Sequence, residues 1–263
     1  MSILEAIVLG LVQGVTEFLP ISSSAHLVLV PYLVGWQDGG LSFAVVTNAA
    51  TLLAAVIYFR HSLVPRRPWL MADAWLHPGL ARAVLIASLP ALVAGGMLYR
   101  WLAQAARGPG VIAATTIGFG LLLWWADRSH RPRRRLAELS WRDGVLIGLA
   151  QALALVPGTS RSGITITAGL MLGYSRQEAA RFSFLLAIPV GLMALVRDLG
   201  AVVSGEAASA PWPPLLIGFA VAGASAYAVI GWLLRWLERQ SLFLFVLYRL
   251  LVGGLLVAFL ALH

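Results

Sequence analysis

The chain contains no cysteine. Disulfides, thiolate nucleophiles and cysteine-ligated metals are therefore excluded. It also contains no lysine, so every basic side chain other than histidine is arginine. Charge of either sign is scarce. Only 11% of the 263 residues are charged, less than half the ~25% of an ordinary soluble domain. A soluble protein of this length needs more polar surface than that. Apolar residues make up 60% of the chain, and the mean hydropathy is +0.85. The apolar runs approach or exceed the ~18–20 residues that span a bilayer. Composition alone thus defines an integral membrane protein, read as one membrane domain over residues 1–263.

The formal net charge is +8. A basic balance can signal nucleic acid. Here the arginines sit mainly in short loops between apolar runs, the positive-inside pattern of membrane proteins, and no nucleic-acid partner is expected. The N-terminus lacks a basic region ahead of its apolar run and carries Glu5, so a cleaved signal peptide is not expected.

Six apolar runs are long enough to cross: about Ser42–Phe59, Ala81–Leu102, Val111–Ala126, Phe182–Gly200, Pro214–Leu234 and Leu242–Leu262. Two further stretches are apolar but interrupted. Ile3–Leu33 breaks at Pro20-Ile-Ser-Ser-Ser, and Gly144–Leu172 breaks at Pro157-Gly-Thr-Ser-Arg-Ser-Gly. Each reads as helix, polar turn, helix. Arg60, Arg66, Arg67 and Arg82 flank one loop, Arg128–Arg142 fill a second, and Arg235 and Arg239 mark a third. All three are expected in the cytoplasm, with Arg100 and Arg107 as a mild exception. The interrupted stretches then become two re-entrant hairpins entering from opposite faces, with their polar turns meeting near the midplane. The arginine-rich loop is read as an anchor, Arg176, Glu178 and Arg181 as interfacial hairpin-exit residues, and Trp36, Trp69, Trp75, Trp124, Trp125 and Trp141 as an interfacial belt.

An internal repeat supports the pairing. Gly10-Leu-Val-Gln13 matches Gly148-Leu-Ala-Gln151, Pro20-Ile-Ser-Ser23 matches Pro157-Gly-Thr-Ser160, and Gly35 falls near Gly173. The offsets alternate between 138 and 137, so single-residue gaps are needed. The halves are 1–126 and 142–263, joined by a basic cytoplasmic connector at 127–141. Opposite orientations make this an inverted-topology repeat, an architecture that builds its site from discontinuous helices at the repeat interface.

The polar residues of the two turns carry the chemistry. Glu17 lies within an apolar run, where an ionisable side chain costs at least ~2.5 kcal/mol and is a functional candidate by default. Gln13 precedes it by one turn on the same face. Arg161 is the lone charge of the second turn. Two helix N-termini aimed at one point make an anion site, and a guanidinium adds bidentate geometry suited to phosphate. Ser22, Ser24, Thr159, Ser160, Ser162 and Thr165 are the phosphate-binding candidates beside Arg161. A serine nucleophile needs a base. Ser23 and His26 are one helical turn apart, so His26 is expected to approach Ser23 and activate it or a water. Glu17 orients His26, serves as base, or holds a divalent cation with Gln13. The plainer alternatives are serines that only cap helices, a structural His26, and a purely structural Glu17–Arg161 pair.

Gln13-Gly-Val-Thr-Glu17-Phe-Leu-Pro-Ile-Ser-Ser-Ser-Ala-His26 and Pro157-Gly-Thr-Ser-Arg-Ser-Gly163 strongly resemble the two motifs of the bacterial undecaprenyl-diphosphate phosphatase family, the bacitracin-resistance type. Phe182-Ser-Phe-Leu-Leu-Ala-Ile-Pro189 fits as well, and the resemblance covers nearly the whole chain. It implies an all-α polytopic fold of six transmembrane helices and two re-entrant hairpins. It implies hydrolysis of undecaprenyl diphosphate to the monophosphate and inorganic phosphate, recycling the carrier for peptidoglycan synthesis in the inner membrane and conferring bacitracin resistance. A divalent cation, Mg2+ or Ca2+, is the implied cofactor. Glu17, Ser23, His26, Ser160, Arg161, Ser162 and Thr165 match residues implicated in activity. Gln13, Ala25 and the Asn48-Ala49 pair depart from the commonest family pattern. The implied partners are the polyprenyl diphosphate lipid and membrane lipids, and a homodimer is one alternative for the assembly. A periplasm-facing site follows from the arginine count. The competing function is a polyprenyl-phosphate or other anion transporter working through the same site.

Overall fold

A computed structural model describes residues 1–36, 39–63, 78–105, 108–132, 134–204 and 211–262. Arg66, Arg67, Arg107, Arg133, Trp69 and Trp75, named above, lie outside these. So do the side chains of the last turns of α4, Arg100 included. Ten α-helices follow in order among the described residues: α1 Ile3–Phe18, α2 Ser23–Val34, α3 Gly40–Leu63, α4 Pro78–Ala105, α5 Pro109–Ser129, α6 Trp141–Ala152, α7 Arg161–Met171, α8 Arg176–Val203, α9 Trp212–Trp236 and α10 Phe243–Leu262. No β-strand occurs among the described residues. The fold is an all-α polytopic membrane protein, as expected.

Six of these helices are long and apolar enough to cross a membrane: α3, most of α4, α5, α8, α9 and α10. All but α10 begin and end a few residues beyond their apolar runs. A helix closes its own hydrogen bonds and continues past the lipid until a cap or proline stops it. Large apolar side chains lie exposed along them, including Leu85, Met97, Val196, Leu216 and Leu255. In water that surface would aggregate. In lipid it is the solvent-facing side.

The four short helices form two pairs, α1 with α2 and α6 with α7, and the pairs repeat each other's local structure at one constant spacing. α1 starts on a capping box, Ser2 with Glu5, and α6 on another, Ser140 with Asp143. The N-cap of α2 is Ser22, with φ 76°, and the N-cap of α7 is Ser160, with φ 70°. They are the two non-glycine residues at positive φ among the described residues. Gly35 and Gly173, also at positive φ, follow the second helix of each pair. Every partner lies 138 residues from its match. The backbone therefore sets Ser22, not Ser23, opposite Ser160, and Pro20 opposite Gly158. The gaps that a proline-on-proline match demands are not needed.

Close packing holds each first helix in place. α1 lies on α9 and α6 on α4, while α3 meets α8 and α5 meets α10. A Cβ at Gly10 would come within 2.8 Å of the Gly218 carbonyl oxygen, and one at Gly148 within 2.6 Å of that of Ala87. Small residues at a spacing of four let membrane helices approach this closely, so both glycines mark backbone-to-backbone contact. α8, with Phe182, Phe184, Leu185 and Leu186 buried, runs through the centre of the core.

The connector is more than an anchor. Arg134 holds both carboxylate oxygens of Asp143, at 2.9 and 2.8 Å, and Tyr174 donates to the same carboxylate at 3.0 Å. Burial opposes charge on Asp143, but hydrogen bonds from Arg134, Ser140 and Tyr174 hold its carboxyl well below the usual carboxylate range. Burial, reinforced by that carboxylate, pushes the Tyr174 hydroxyl up. Arg176 donates to Asp127 at 2.5 Å, and the Leu242 amide donates to the same carboxylate at 3.1 Å. This joins the start of α8 and the loop before α10 to the end of α5. Glu178 accepts from the Leu136 amide at 3.0 Å.

Candidate functional site

The turn after α1 and the turn before α7 meet. Ser162 of α7 donates to the Leu19 carbonyl at 2.9 Å. Arg161, the first residue of α7, reaches Glu17, near the end of α1, at 3.2 Å. Glu17 is the hub. Its Oε2 accepts from Ser23 Oγ at 2.7 Å and from Gln13 Nε2 at 3.1 Å, while Oε1 accepts from Arg161. Gln13 Nε2 also donates to Asn48 Oδ1 at 2.7 Å, so the departure at Asn48 is a direct contact with the motif. Glu17 and Arg161 remain about one-fifth exposed, at 21% and 18%. They open into a cavity of about 180 Å³ between α3 and α8. Asn48 shares the polar end formed by Glu17 and Arg161, Leu52, Val190 and Leu195 supply largely apolar walls, and Thr51 and Asp198 also line it.

The other expected site residues divide. Ser22 and Ser24 hydroxyls lie 3.2 Å apart, and those of Ser160 and Ser162 lie 3.3 Å apart. Ser160 Oγ caps α7 by accepting from the Gly163 amide at 3.1 Å, whereas Ser22 caps nothing with its side chain. Thr165 is turned into its own helix and towards Ser183, 2.7 Å away. Thr159 is fully buried with an unpartnered hydroxyl. These four second-turn residues thus lie behind Arg161 rather than in the cavity wall.

His26 does not approach Ser23. Its Nδ1 lies 2.7 Å from the Ser22 carbonyl oxygen and its Nε2 lies 2.6 Å from the Tyr248 hydroxyl. A ring nitrogen three residues along a helix is within reach of Ser23, but the carbonyl four residues back and a tyrosine from α10 offer better-aligned partners. Glu17 is the group in hydrogen-bond contact with the serine.

Two residues of α10 join the site without having been singled out from sequence. One is Tyr248. The other is Arg249, fully buried, whose guanidinium donates to five carbonyls: Pro20 of the first turn, Gly158 and Thr159 of the second, and Thr115 and Thr116 of α5. All five acceptors are backbone carbonyl oxygens. A lone arginine within the last apolar run meets the same criterion that singled out Glu17. Tyr248 resembles any interfacial aromatic and carries no such signal.

Among the described residues no group of three His, Asp or Glu side chains converges on one point. A tight all-protein metal cage is not built here. Gln13 Oε1 is nevertheless buried without a partner, on the same amide whose nitrogen binds Glu17. One carboxylate and one free amide oxygen fit a hard cation that takes its remaining ligands from substrate phosphates and water.

Fold and site together define a polytopic membrane protein with a carboxylate, a hydroxyl and a guanidinium joined where two broken helices meet. The bacitracin resistance protein BacA family matches residues 6–255, and the chain belongs to that family. It is 48% identical to an undecaprenyl-diphosphatase of Magnetococcus marinus, over 98% of this chain and 99% of the relative. It is also 48% identical to an undecaprenyl-diphosphatase 2 of Stutzerimonas stutzeri, over 98% of both chains.

Proposed function

We propose that the chain hydrolyses undecaprenyl diphosphate to undecaprenyl phosphate and inorganic phosphate. The observation that carries this is the Ser23–Glu17–Arg161 chain of contacts, of which Glu17 and Arg161 line the polar end of a cavity with largely apolar walls. The polar end suits a diphosphate and the apolar walls suit the start of a polyprenyl tail. The phosphatase names of both relatives favour hydrolysis over carriage.

In this reading Glu17 Oε2 takes the Ser23 proton as Oγ bonds to the terminal phosphorus. The bond from that phosphorus to the bridging oxygen breaks, and the lipid monophosphate leaves with the electron pair and takes the proton from Glu17. Water then attacks the phosphoserine and gives its proton to the re-ionised Glu17, the bond from phosphorus to Ser23 Oγ breaks as Glu17 returns that proton to Oγ, and inorganic phosphate leaves. Arg161 stabilises charge on the transferred oxygens by a preorganised cation. The hydroxyls of Ser22 and Ser24 and the free N-terminal amides of α2 add donors. Gln13 and Glu17 would hold the divalent cation, Mg2+ or Ca2+, which neutralises diphosphate oxygens when bound.

The paired helices α1–α2 and α6–α7 are too short to cross, and we read them as re-entrant hairpins of two inverted halves, 1–126 and 142–263, linked at 127–141. Exchanging the halves exchanges the contact of α1 with α9 for that of α6 with α4, which supports the reading. Arg60, Arg128 and Arg235 fall in the last turns of α3, α5 and α9. With those ends in the cytoplasm of a bacterial inner membrane, the site faces the periplasm. Carrier recycling for peptidoglycan synthesis, and bacitracin resistance, follow from the reaction.

One assay decides between hydrolysis and transport. The purified chain in detergent micelles, given C55 diphosphate and Mg2+ or Ca2+, is expected to release phosphate. Micelles abolish the two compartments, so release there is hydrolysis. Absence of release with either cation would leave carriage as the reading.

A further inference from the structure

The inference below rests on the hydrolytic reading above and concerns how Ser23 is aimed. His26 is buried, and both of its ring nitrogens are engaged. The Ser22 carbonyl can only accept, so Nδ1, 2.7 Å away, carries a proton. In the neutral ring Nε2 then accepts from the Tyr248 hydroxyl at 2.6 Å. The two rings stack, with centroids 5.5 Å apart and planes 13° from parallel.

The carbonyl that His26 holds belongs to a strained residue. Ser22 has φ 76°, a conformation that strains a non-glycine residue and persists only where neighbours over-determine it. The second turn shows what replaces the ring when histidine is missing. There Ser160, at φ 70°, is secured by its own hydroxyl on the Gly163 amide, and the Ile164 amide donates to the Ser160 carbonyl at 2.9 Å. In the first turn the side chain of Ser22 caps nothing, and the matching backbone bond, from the His26 amide to the Ser22 carbonyl, is stretched to 3.4 Å. The ring N–H is the close donor instead. The next residue along the chain is Ser23, whose hydroxyl reaches Glu17.

The geometry points to His26 as a positioning residue rather than a base: its Nδ1–H fixes the strained Ser22 carbonyl so that Ser23 faces Glu17, and Tyr248 of α10 is a second positioning residue that holds His26 in that tautomer. Base duty falls to Glu17 alone.

Amide side chains separate the two roles. The Nδ2 of asparagine takes the place of ring Nδ1, and the Nε2 of glutamine takes that of ring Nε2. In the micelle assay, His26→Asn is expected to lose less than about tenfold in kcat, whereas His26→Gln loses about a hundredfold, with KM unchanged in both. Removing a true base would cost ~10²–10⁴ in either variant. Tyr248→Phe is expected to lose about three- to tenfold in kcat, again without a change in KM, as a lost hydrogen bond of ordinary strength predicts. Equal and deep losses in the Asn and Gln variants, with unchanged thermal unfolding, would make His26 a base and overturn the proposal. So would a native-like Gln variant, or a Tyr248→Phe effect confined to KM.

A readout independent of turnover covers variants that do not fold. The full chain with ¹⁵N-labelled histidine, in micelles, is expected to show His26 with the proton on Nδ1. An Nε2–H ring would refute the proposal whatever the activity. Absence of phosphate release by the native chain would instead defeat the hydrolytic reading, and the nitrogen shifts would still decide the His26–Tyr248 arrangement.

Discussion

The two polar turns have one backbone and two chemistries. Both put a serine at positive φ ahead of a helix, both place hydroxyls two residues apart within hydrogen-bond distance, and both follow a helix opened by a capping box. The residue just after the strained serine is Ser23 in the first turn and Arg161 in the second. Both side chains reach the carboxylate of Glu17. Glu17 itself has Leu155 at the corresponding place, and His26 has Ile164. The first turn thus carries the acid and the hydroxyl, and the second carries the cation. One scaffold used twice supplies complementary groups to one point. The strained serine belongs to the scaffold, because it persists in both turns while the chemistry around it changes.

The largest expected effect tests whether reactivity belongs to the first turn. Glu17→Gln keeps the shape of the hub and removes its basicity. Phosphate release in micelles should fall about a thousandfold in kcat, inside the ~10²–10⁴ range of a general base, with protein yield intact. A drop of only a few-fold would move the base elsewhere.

Next in size is the tie between the turns. Arg249→Met removes a donor from five carbonyls; Thr115 and Thr116 keep the helical bonds of α5 and Gly158 keeps the Thr116 hydroxyl, so Pro20 and Thr159 lose most. Each unsatisfied buried group costs ~1–3 kcal/mol, and the losses are not additive, so a destabilisation of about 3 kcal/mol or more is expected. The midpoint of thermal unfolding in detergent measures it. An unchanged midpoint would mean that the turns hold together without α10.

A smaller and matched effect checks that the two halves pack alike. Gly10→Ala and Gly148→Ala each press a methyl against a backbone carbonyl that cannot swing aside. Losses of about 1–3 kcal/mol, similar in the two variants, are expected from overpacking. Unequal losses would show that only one first helix depends on close approach.

The smallest effect lies at the capping boxes. Asp143 is locked to Arg134, Ser140 and Tyr174, whereas Glu5 has only Ser2 and the N-terminus. The carboxyl of Asp143 is held below its ordinary value. Its stabilisation is therefore complete above the unfolded value of ~3.9 and is lost as the pH falls towards the lower folded value. Asp143→Asn should lower stability by about 1 kcal/mol near neutral pH, since Arg134 is partly solvated. The gap from the native chain should narrow as the pH is taken below about 4. A gap that stays constant with pH would mean that the carboxylate charge contributes nothing.

Much of this was legible in the residues, for definite reasons. A glutamate and an arginine inside apolar runs stand out because lipid makes unpaired charge costly, so Glu17 and Arg161 were evident, as was their meeting. Spanning helices were evident because length and hydropathy are local properties. The constant 138-residue spacing was blurred by the attraction of pairing proline with proline, since identity of residues is weaker evidence than backbone conformation. The expected contact of Ser23 with His26 failed for a related reason. Spacing along a helix states which side chains can meet, while competing partners decide which of them do.

Composition and the length of the apolar runs determined that this chain lives in a membrane, has six helices long and apolar enough to cross it, and breaks at two serine-bearing turns. Those features depend on each segment's own exchange with lipid or water. Only tertiary structure decided that Glu17 rather than His26 holds Ser23, that Tyr248 faces His26, and that Arg249 binds both turns. These contacts join residues far apart in the chain, and a buried hydrogen bond forms only where packing brings donor and acceptor within about 3 Å.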